Sequence, residues 1–412
     1  MATLLLVIIY LAFISLGLPD SLLGVAWPVM QSDIGAPLET AGFLFMTIAG
    51  GTIISSLASG KVLRRFGTSK VTFVSVLMTA GALLGFHFAP SIIWLFVCAI
   101  PLGLGAGAID AGLNDYVATH YKAHHMSWLH CFWGVGATLG PIIMAQFISG
   151  QNSWRNGYFA ISGIQLALAI ILFFTLPLWS KVKNNSNITL NGGTEESKSL
   201  SYDEEVNEIK PLQIKGVKLA LTSFLFYCGV EATVGLWGSS YLVNVKELHA
   251  AHAAQWVSFY YAGITIGRFI TGFITFKISN LTLIRMGQII ALLGAVLLFL
   301  PLPSIFSLVG FVMTGLGLAP IFPCMLHETP TRFGKKHSQT IMGYQMALAY
   351  TGSTFLPPLL GFIATHSTIG IFPLCIVVFV AVMLLSSEKL NNLLKKKDLT
   401  TRKDTSQQHF NH

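Results

Sequence analysis

Three carboxyl side chains stand inside stretches otherwise built of apolar and small residues. They are Asp20 in GLPDSLLGVAWP (17–28), Asp110 in GAGAIDAGLNDYV (105–117) and Glu231 in CGVEATVGLWGSSY (228–241). An ionised group at bilayer depth costs at least ~2.5 kcal/mol on insertion scales, so such groups usually face a cavity and act on something. Asp110 and Asn114 are four apart and share one helical face. A carboxyl taken out of water can take up a proton near neutral pH. The residues alone leave a rival open for Asp110, as the partner of a basic residue on a neighbouring helix. Gly17 and Pro19 loosen the helix before Asp20 and free backbone groups for a ligand. Glu231 is open to three roles: a second coupling carboxyl, an acceptor for solute hydroxyls, or half of an ion pair. Trp237 and Tyr241, four apart, offer an aromatic face to a ring-shaped solute. Interfacial anchoring accounts for Tyr241 equally well. Gln345 and Tyr344 add polar groups from a later segment.

These residues must be positioned by membrane helices. The chain has 412 residues, 53% hydrophobic and only 10% charged, against about 25% charged in soluble domains. Apolar runs of the roughly 20 residues that cross a bilayer recur along the chain. Twelve helices are expected over 4–31, 38–59, 71–89, 92–118, 127–149, 157–179, 215–243, 253–275, 283–300, 305–327, 339–364 and 370–387. The runs are helical in length, which excludes a β-barrel of short alternating strands. The first run lacks a basic leader and a cleavage site and reads as a membrane helix. The domain plan is a six-helix half over 1–179, a polar cytoplasmic linker over 180–216, a second six-helix half over 217–388 and a basic tail over 389–412. The five cysteines fall in apolar segments and have neither metal nor redox spacing.

With the N-terminus inside, 23 of the 25 Lys and Arg residues fall on the cytoplasmic side, leaving only Arg155 and Lys246 outside. Positive charge is retained in the cytoplasm, so both termini are expected there. The net charge of +8 therefore reports topology and gives no argument for nucleic acid, although the tail KLNNLLKKK is placed to meet anionic lipid. The halves echo each other. AGGTIISSLASGKVLRR (49–65) aligns with YAGITIGRFITGFITFK (261–277) at an offset of 212, and Asp20 and Gly24 align with Glu231 and Gly235 at an offset of 211. Two parallel repeats point to a transporter with its site at the repeat interface.

GKVLRRFGTSK (60–70) reads as a tight glycine turn with four basic residues at the inner membrane face. It resembles the signature between helices two and three of the major facilitator superfamily, with Gly60, Arg64, Arg65 and Gly67 as its gating and structural residues. Lys61 stands where that signature normally has an acidic residue. Asp115 is expected to partner the Lys61–Arg65 cluster. Three stretches further resemble the fucose permease branch of sugar transporters: GLPDSLLGVAWP, IDAGLNDYV (109–117) and LHCFWGVGATLGP (129–141). The last is similar to a Leu-His-aromatic-aromatic-Gly-x-Gly stretch in animal glucose transporters of that branch. It adds His130 and Trp133 to Asn114, Trp237 and Gln345 as expected solute-binding residues.

The resemblance implies an all-α membrane protein, twelve transmembrane helices in two six-helix repeats with the major facilitator fold. It implies a monomeric secondary transporter of a sugar or similar small polar solute, with Asp20, Asp110 and Glu231 coupling transport to H+ rather than Na+. The expected location is the plasma membrane, in a bacterium the inner membrane. No cofactor, metal or nucleic acid is expected and no enzyme is implied. His120, His124 and His125 lie in a short loop with no acidic partner for a metal, and no phosphate loop supports ATP-driven transport. The rival readings are an exporter, from the partial antiporter pattern GATLGP (136–141), and a non-transporting membrane sensor. The longest soluble stretch is too short for the folded domain a sensor would need.

Overall fold

The computed structural model describes the backbone of residues 2–121, 123–151, 153–190, 211–275 and 277–410. Fourteen α-helices are described: α1 (Ala2–Asp20), α2 (Leu22–Ile34), α3 (Thr40–Phe66), α4 (Thr68–His87), α5 (Ile92–His120), α6 (Ala123–Gln151), α7 (Trp154–Leu190), α8 (Val217–Asn244), α9 (Ala250–Ile274), α10 (Asn280–Phe299), α11 (Ser304–Leu318), α12 (Ile321–Phe333), α13 (Lys335–His366) and α14 (Phe372–Phe410). Together they form twelve spans long and apolar enough to cross a membrane, α1 joining α2 and α11 joining α12. The protein is an all-α, multi-pass membrane protein.

The helices overrun the apolar stretches at the end that carries the basic residues. Residues 60–66 were expected in a turn, but α3 continues through Gly60 to Phe66, and the chain reverses at Gly67 instead. Gly67 has φ of 82°, which side chains disfavour and glycine tolerates. Arg64 and Arg65 thus lie in the last turn of α3, where cations complement the helix dipole. The expected linker over 180–216 also begins as helix, because α7 runs to Leu190; residues 191–210 lie outside the described residues. The tail continues α14 to Phe410.

Two spans break at mid-membrane. Between α1 and α2 the chain turns at Ser21, directly after Pro19 and Asp20. Between α11 and α12 it breaks at Ala319 and Pro320. Proline withdraws a backbone donor and crowds the preceding turn, and a break at this depth is tolerated where the backbone lines protein or water.

The helices group into two compact units. One comprises Met1–Glu205, Gly235–Thr265 and Pro357–Phe372; the other comprises Val206–Val234, Ile266–Leu356 and Pro373–His412. In the first unit α3 and α4 pack on α5, α7 packs on α4, and α1 packs on α6. A core of Leu5, Ile9, Phe13, Leu113, Tyr116 and Trp179 lies at one end. At the other end Arg155, one of the two basic residues expected outside, is ion-paired with Asp33. Trp154 Nε1 donates to the same carboxylate at 2.9 Å, and Arg155 Nη2 donates to the Ala89 carbonyl at 3.1 Å. This cluster ties the ends of α2, α4 and α7 together. Arg155→Ala is expected to lower the unfolding free energy by about 1 kcal/mol, as for partly exposed pairs, read as a lower thermal midpoint in detergent; Arg155→Lys should recover part of it.

In the second unit α10 packs on α11 and α12. Buried Ser223, Ser387 and Gln288 form a chain of hydrogen bonds of 2.9 and 2.8 Å. Arg285 grips Glu388 with two bonds of 2.7 and 2.6 Å. Hydrogen-bonded side chains of this kind help fix which faces of the helices meet.

Candidate functional site

Asp20 stands at the break between α1 and α2, and Trp133 reaches it from α6. The indole Nε1 donates to Asp20 Oδ2 at 2.8 Å. This reach depends on close helix packing, because a Cβ on Gly17, Gly136 or Gly140 would overlap backbone carbonyls of the opposing helix. Two glycines of the GATLGP pattern, Gly136 and Gly140, therefore have a packing explanation in the α1–α6 contact.

Asp110 lies on α5, about 15 Å from its C-terminal end at 1.5 Å per residue. Asn114 Nδ2 donates to Asp110 Oδ1 and to the Asp110 carbonyl, both at 2.9 Å. The helix is thinned upstream, where Gly103 and Gly107 press on carbonyls of α3. Among the described residues no Lys, Arg or His nitrogen lies within 4.0 Å of either carboxylate. Their side-chain partners are neutral donors, an indole and a carboxamide. Asp20 and His130 are exposed, while Asp110, Asn114 and Trp133 are half-buried. His130 meets the Phe13 ring edge-on at 6.0 Å. The first unit thus joins Asp20 on α1 to Trp133 on α6, and Asp110 to Asn114 on α5, with His130 one turn before Trp133 on α6.

The remaining expected site residues are placed differently. Trp237 has no exposed surface. Its Nε1 donates to the Pro357 carbonyl at 2.8 Å, and its ring fills the space beside Gly361. It offers no face to a solute in this conformation. Tyr241 is also buried, packed at 5.2 Å on Phe372. Trp237→Ala is therefore expected to cause a packing defect of about 3–5 kcal/mol, visible as lower thermal stability and lower abundance in the membrane. Gln345 is buried in the second unit and accepts from Thr329 Oγ1 at 2.9 Å.

Asp115 is exposed, and among the described residues no basic side chain lies within 4.0 Å of it. The expected contact with Lys61–Arg65 is not made; Arg65 lies 5.4 Å over the Phe66 ring. His120 and His125 are engaged within the helical framework, through the Tyr116 carbonyl at 3.0 Å and the Tyr10 hydroxyl at 2.8 Å.

Glu231 is ion-paired. Arg268 Nη2 lies 3.2 Å from Glu231 Oε1 and also donates to the Tyr227 hydroxyl at 3.3 Å. The charge count by segment puts Arg268 on the cytoplasmic side, but it lies six residues inside the end of α9. The overlooked signal was an arginine well within the apolar run 253–275.

A family model described as Major Facilitator Superfamily matches residues 9–355. The glucose/mannose transporter GlcP of Bacillus subtilis is 25% identical over 350 residues, which cover 82% of this chain and 83% of the relative. The cis,cis-muconate transport protein of Acinetobacter baylyi is 21% identical over 374 residues, covering 88% and 87%. The inward-open xylose transporter XylE from E. coli shares the fold, with a TM-score of 0.74 at 14% identity over 95% of each chain.

Proposed function

The chain belongs to the major facilitator superfamily, and from that premise we propose that it is a proton-coupled transporter of a small polar solute, a sugar. It works by alternating access in the plasma membrane, with H+ rather than Na+ as the coupling ion. The observation that carries this reading is the pair of carboxyls, Asp20 and Asp110, held at bilayer depth by neutral donors. A carboxylate there without a counter-cation is costly, and protonation relieves the cost. Loading and unloading a proton then changes which conformations the protein can occupy, and solute moves with it. Trp133 and Asn114 orient the two carboxyls, and Asn114 and His130 supply hydrogen-bonding groups for solute hydroxyls.

The relatives' names support two solute chemistries, the hexoses of GlcP and the organic acid of the muconate protein. The test is uptake of a labelled panel of hexoses, pentoses and organic acids by proteoliposomes with imposed gradients. A sugar should accumulate under an inward proton gradient and remain at equilibrium under a sodium gradient alone. Accumulation driven by sodium, or extrusion of solute in exchange for protons, would overturn the reading.

The proposed orientation has both termini and the linker in the cytoplasm. On a cysteine-free background, Ser197→Cys, outside the described residues, and Thr405→Cys should resist an impermeant maleimide in intact cells. Ready labelling of either would reverse the orientation.

A further inference from the structure

Arg268 is placed against its own convenience. It lies six residues from the C-terminal end of α9, about 9 Å at 1.5 Å per residue. A long basic side chain at that depth ordinarily extends to the nearer membrane surface. Side chains on a helix tilt toward its N-terminus, and Arg268 follows that tilt inward. Its guanidinium meets Glu231, which lies fourteen residues from Val217 and thirteen from Asn244, at the middle of α8. The pair is partly accessible, with 16% of the Arg268 side chain and 19% of the Glu231 side chain exposed. Charged groups at this depth face protein or water, not lipid. The accessible part of the pair is therefore expected to meet polar groups or water.

The repeat sharpens the contrast. Glu231 aligns with Asp20, and Arg268 aligns at the offset of 212 with Ser56. Ser56 donates to the Gly107 carbonyl at 3.3 Å. One repeat thus presents a carboxyl held by an indole, and the other presents a carboxylate already neutralised by a cation.

We propose that the Arg268–Glu231 pair is a charge filter, admitting neutral polyhydroxy solutes and rejecting their carboxylate counterparts. This rests on the reading of the protein as a solute transporter. The pair has no net charge and offers guanidinium donors beside carboxylate acceptors, a set that matches hydroxyl groups, which donate and accept. A solute carboxylate arriving at the pair would add an uncompensated negative charge at bilayer depth. That penalty shifts binding by tenfold or more against the acid.

The test uses purified full-length protein and two matched pairs of probes, a hexose with its hexuronate and a pentitol with its pentonate. Binding is read by thermal stabilisation over a concentration series. Wild type should bind each neutral member at least tenfold more tightly than its acid. Glu231→Gln leaves a net positive charge and should reduce or invert that preference by tenfold or more. Arg268→Gln leaves a lone carboxylate and should widen it. The exchanged pair, Glu231→Arg with Arg268→Glu, restores neutrality and should retain the wild-type preference if Glu231→Gln does not fold. Wild type binding acids as well as neutral probes, or a preference that stays fixed in both single variants, overturns the filter. If wild type binds neither neutral member, the sugar reading fails, while a gain of acid binding in Glu231→Gln would still uphold the filter.

Discussion

Vesicles containing Asp110→Asn protein are expected to show no accumulation of solute under a proton gradient, yet to exchange labelled for unlabelled solute across the membrane. Asparagine keeps the shape of the carboxyl and resembles its protonated form. With Asn114 bonded to Asp110 at 2.9 Å, the substitution disturbs one local hydrogen bond and leaves the α5 packing intact. Uphill transport requires the proton to be released, which an amide cannot do, so the accumulation ratio should fall to about one. Exchange needs only the loaded carrier and should persist. The rival reading, in which Asp110 neutralises a basic side chain, predicts a scarce or misfolded protein, because removing one partner of a buried pair typically costs 3–5 kcal/mol. No such cation lies within 4.0 Å of Asp110 among the described residues, so normal abundance is expected. Proton-driven accumulation at the wild-type rate in this variant would remove Asp110 from the mechanism.

Gly24→Leu should produce the second large effect. Gly24 on α2 lies against residue 235 of α8 inside the first unit, and a Cβ there would overlap the Gly235 carbonyl oxygen. The two glycines are the ones aligned by the internal repeat, so the repeats touch at corresponding positions. Overpacking costs ~1–3 kcal/mol, and more when the clash is with backbone that cannot turn aside. Each ~1.4 kcal/mol is tenfold in a population, so the observed arrangement should become at least tenfold rarer. Net transport should fall by at least that factor, while the arrangement in which these helices part remains available and solute binding survives. Gly24→Ala should show a smaller loss of the same kind. Wild-type turnover in Gly24→Leu would mean that the transport cycle does not need this contact.

Most of the fold was legible because a membrane helix announces itself locally. Twelve apolar runs were enough to place twelve spans; Gly17 and Pro19 pointed to a loosened helix before Asp20, but the break into two helices at Ser21 was not read within the expected span 4–31. The turn after α3 was misplaced because Gly60 and Gly67 look alike in sequence; only the backbone angle at Gly67 distinguishes them. Asp20 and Asp110 stood out because a charge in an apolar run is conspicuous whatever surrounds it. What surrounds them was not legible, since Trp133 reaches Asp20 across 113 positions of the chain. Trp237 illustrates the converse. Its position in a helix with Glu231 suggested a solute-facing ring, but residues near Pro357 and Gly361 enclose it. Arg268 was misassigned because a count of basic residues by segment ignores depth, and its pairing with Glu231 is set by how α8 and α9 meet.

The central claim, that a proton bound at Asp20 and Asp110 travels with solute, is tested most directly by following both together. Wild-type protein in proteoliposomes with a trapped pH indicator and no imposed gradient should acidify the lumen when a transported neutral sugar is added outside. The acidification should proceed in fixed proportion to sugar uptake, at the same rate with or without sodium. Sugar entry without any change in lumenal pH, in vesicles shown to hold a pH gradient, would contradict the account.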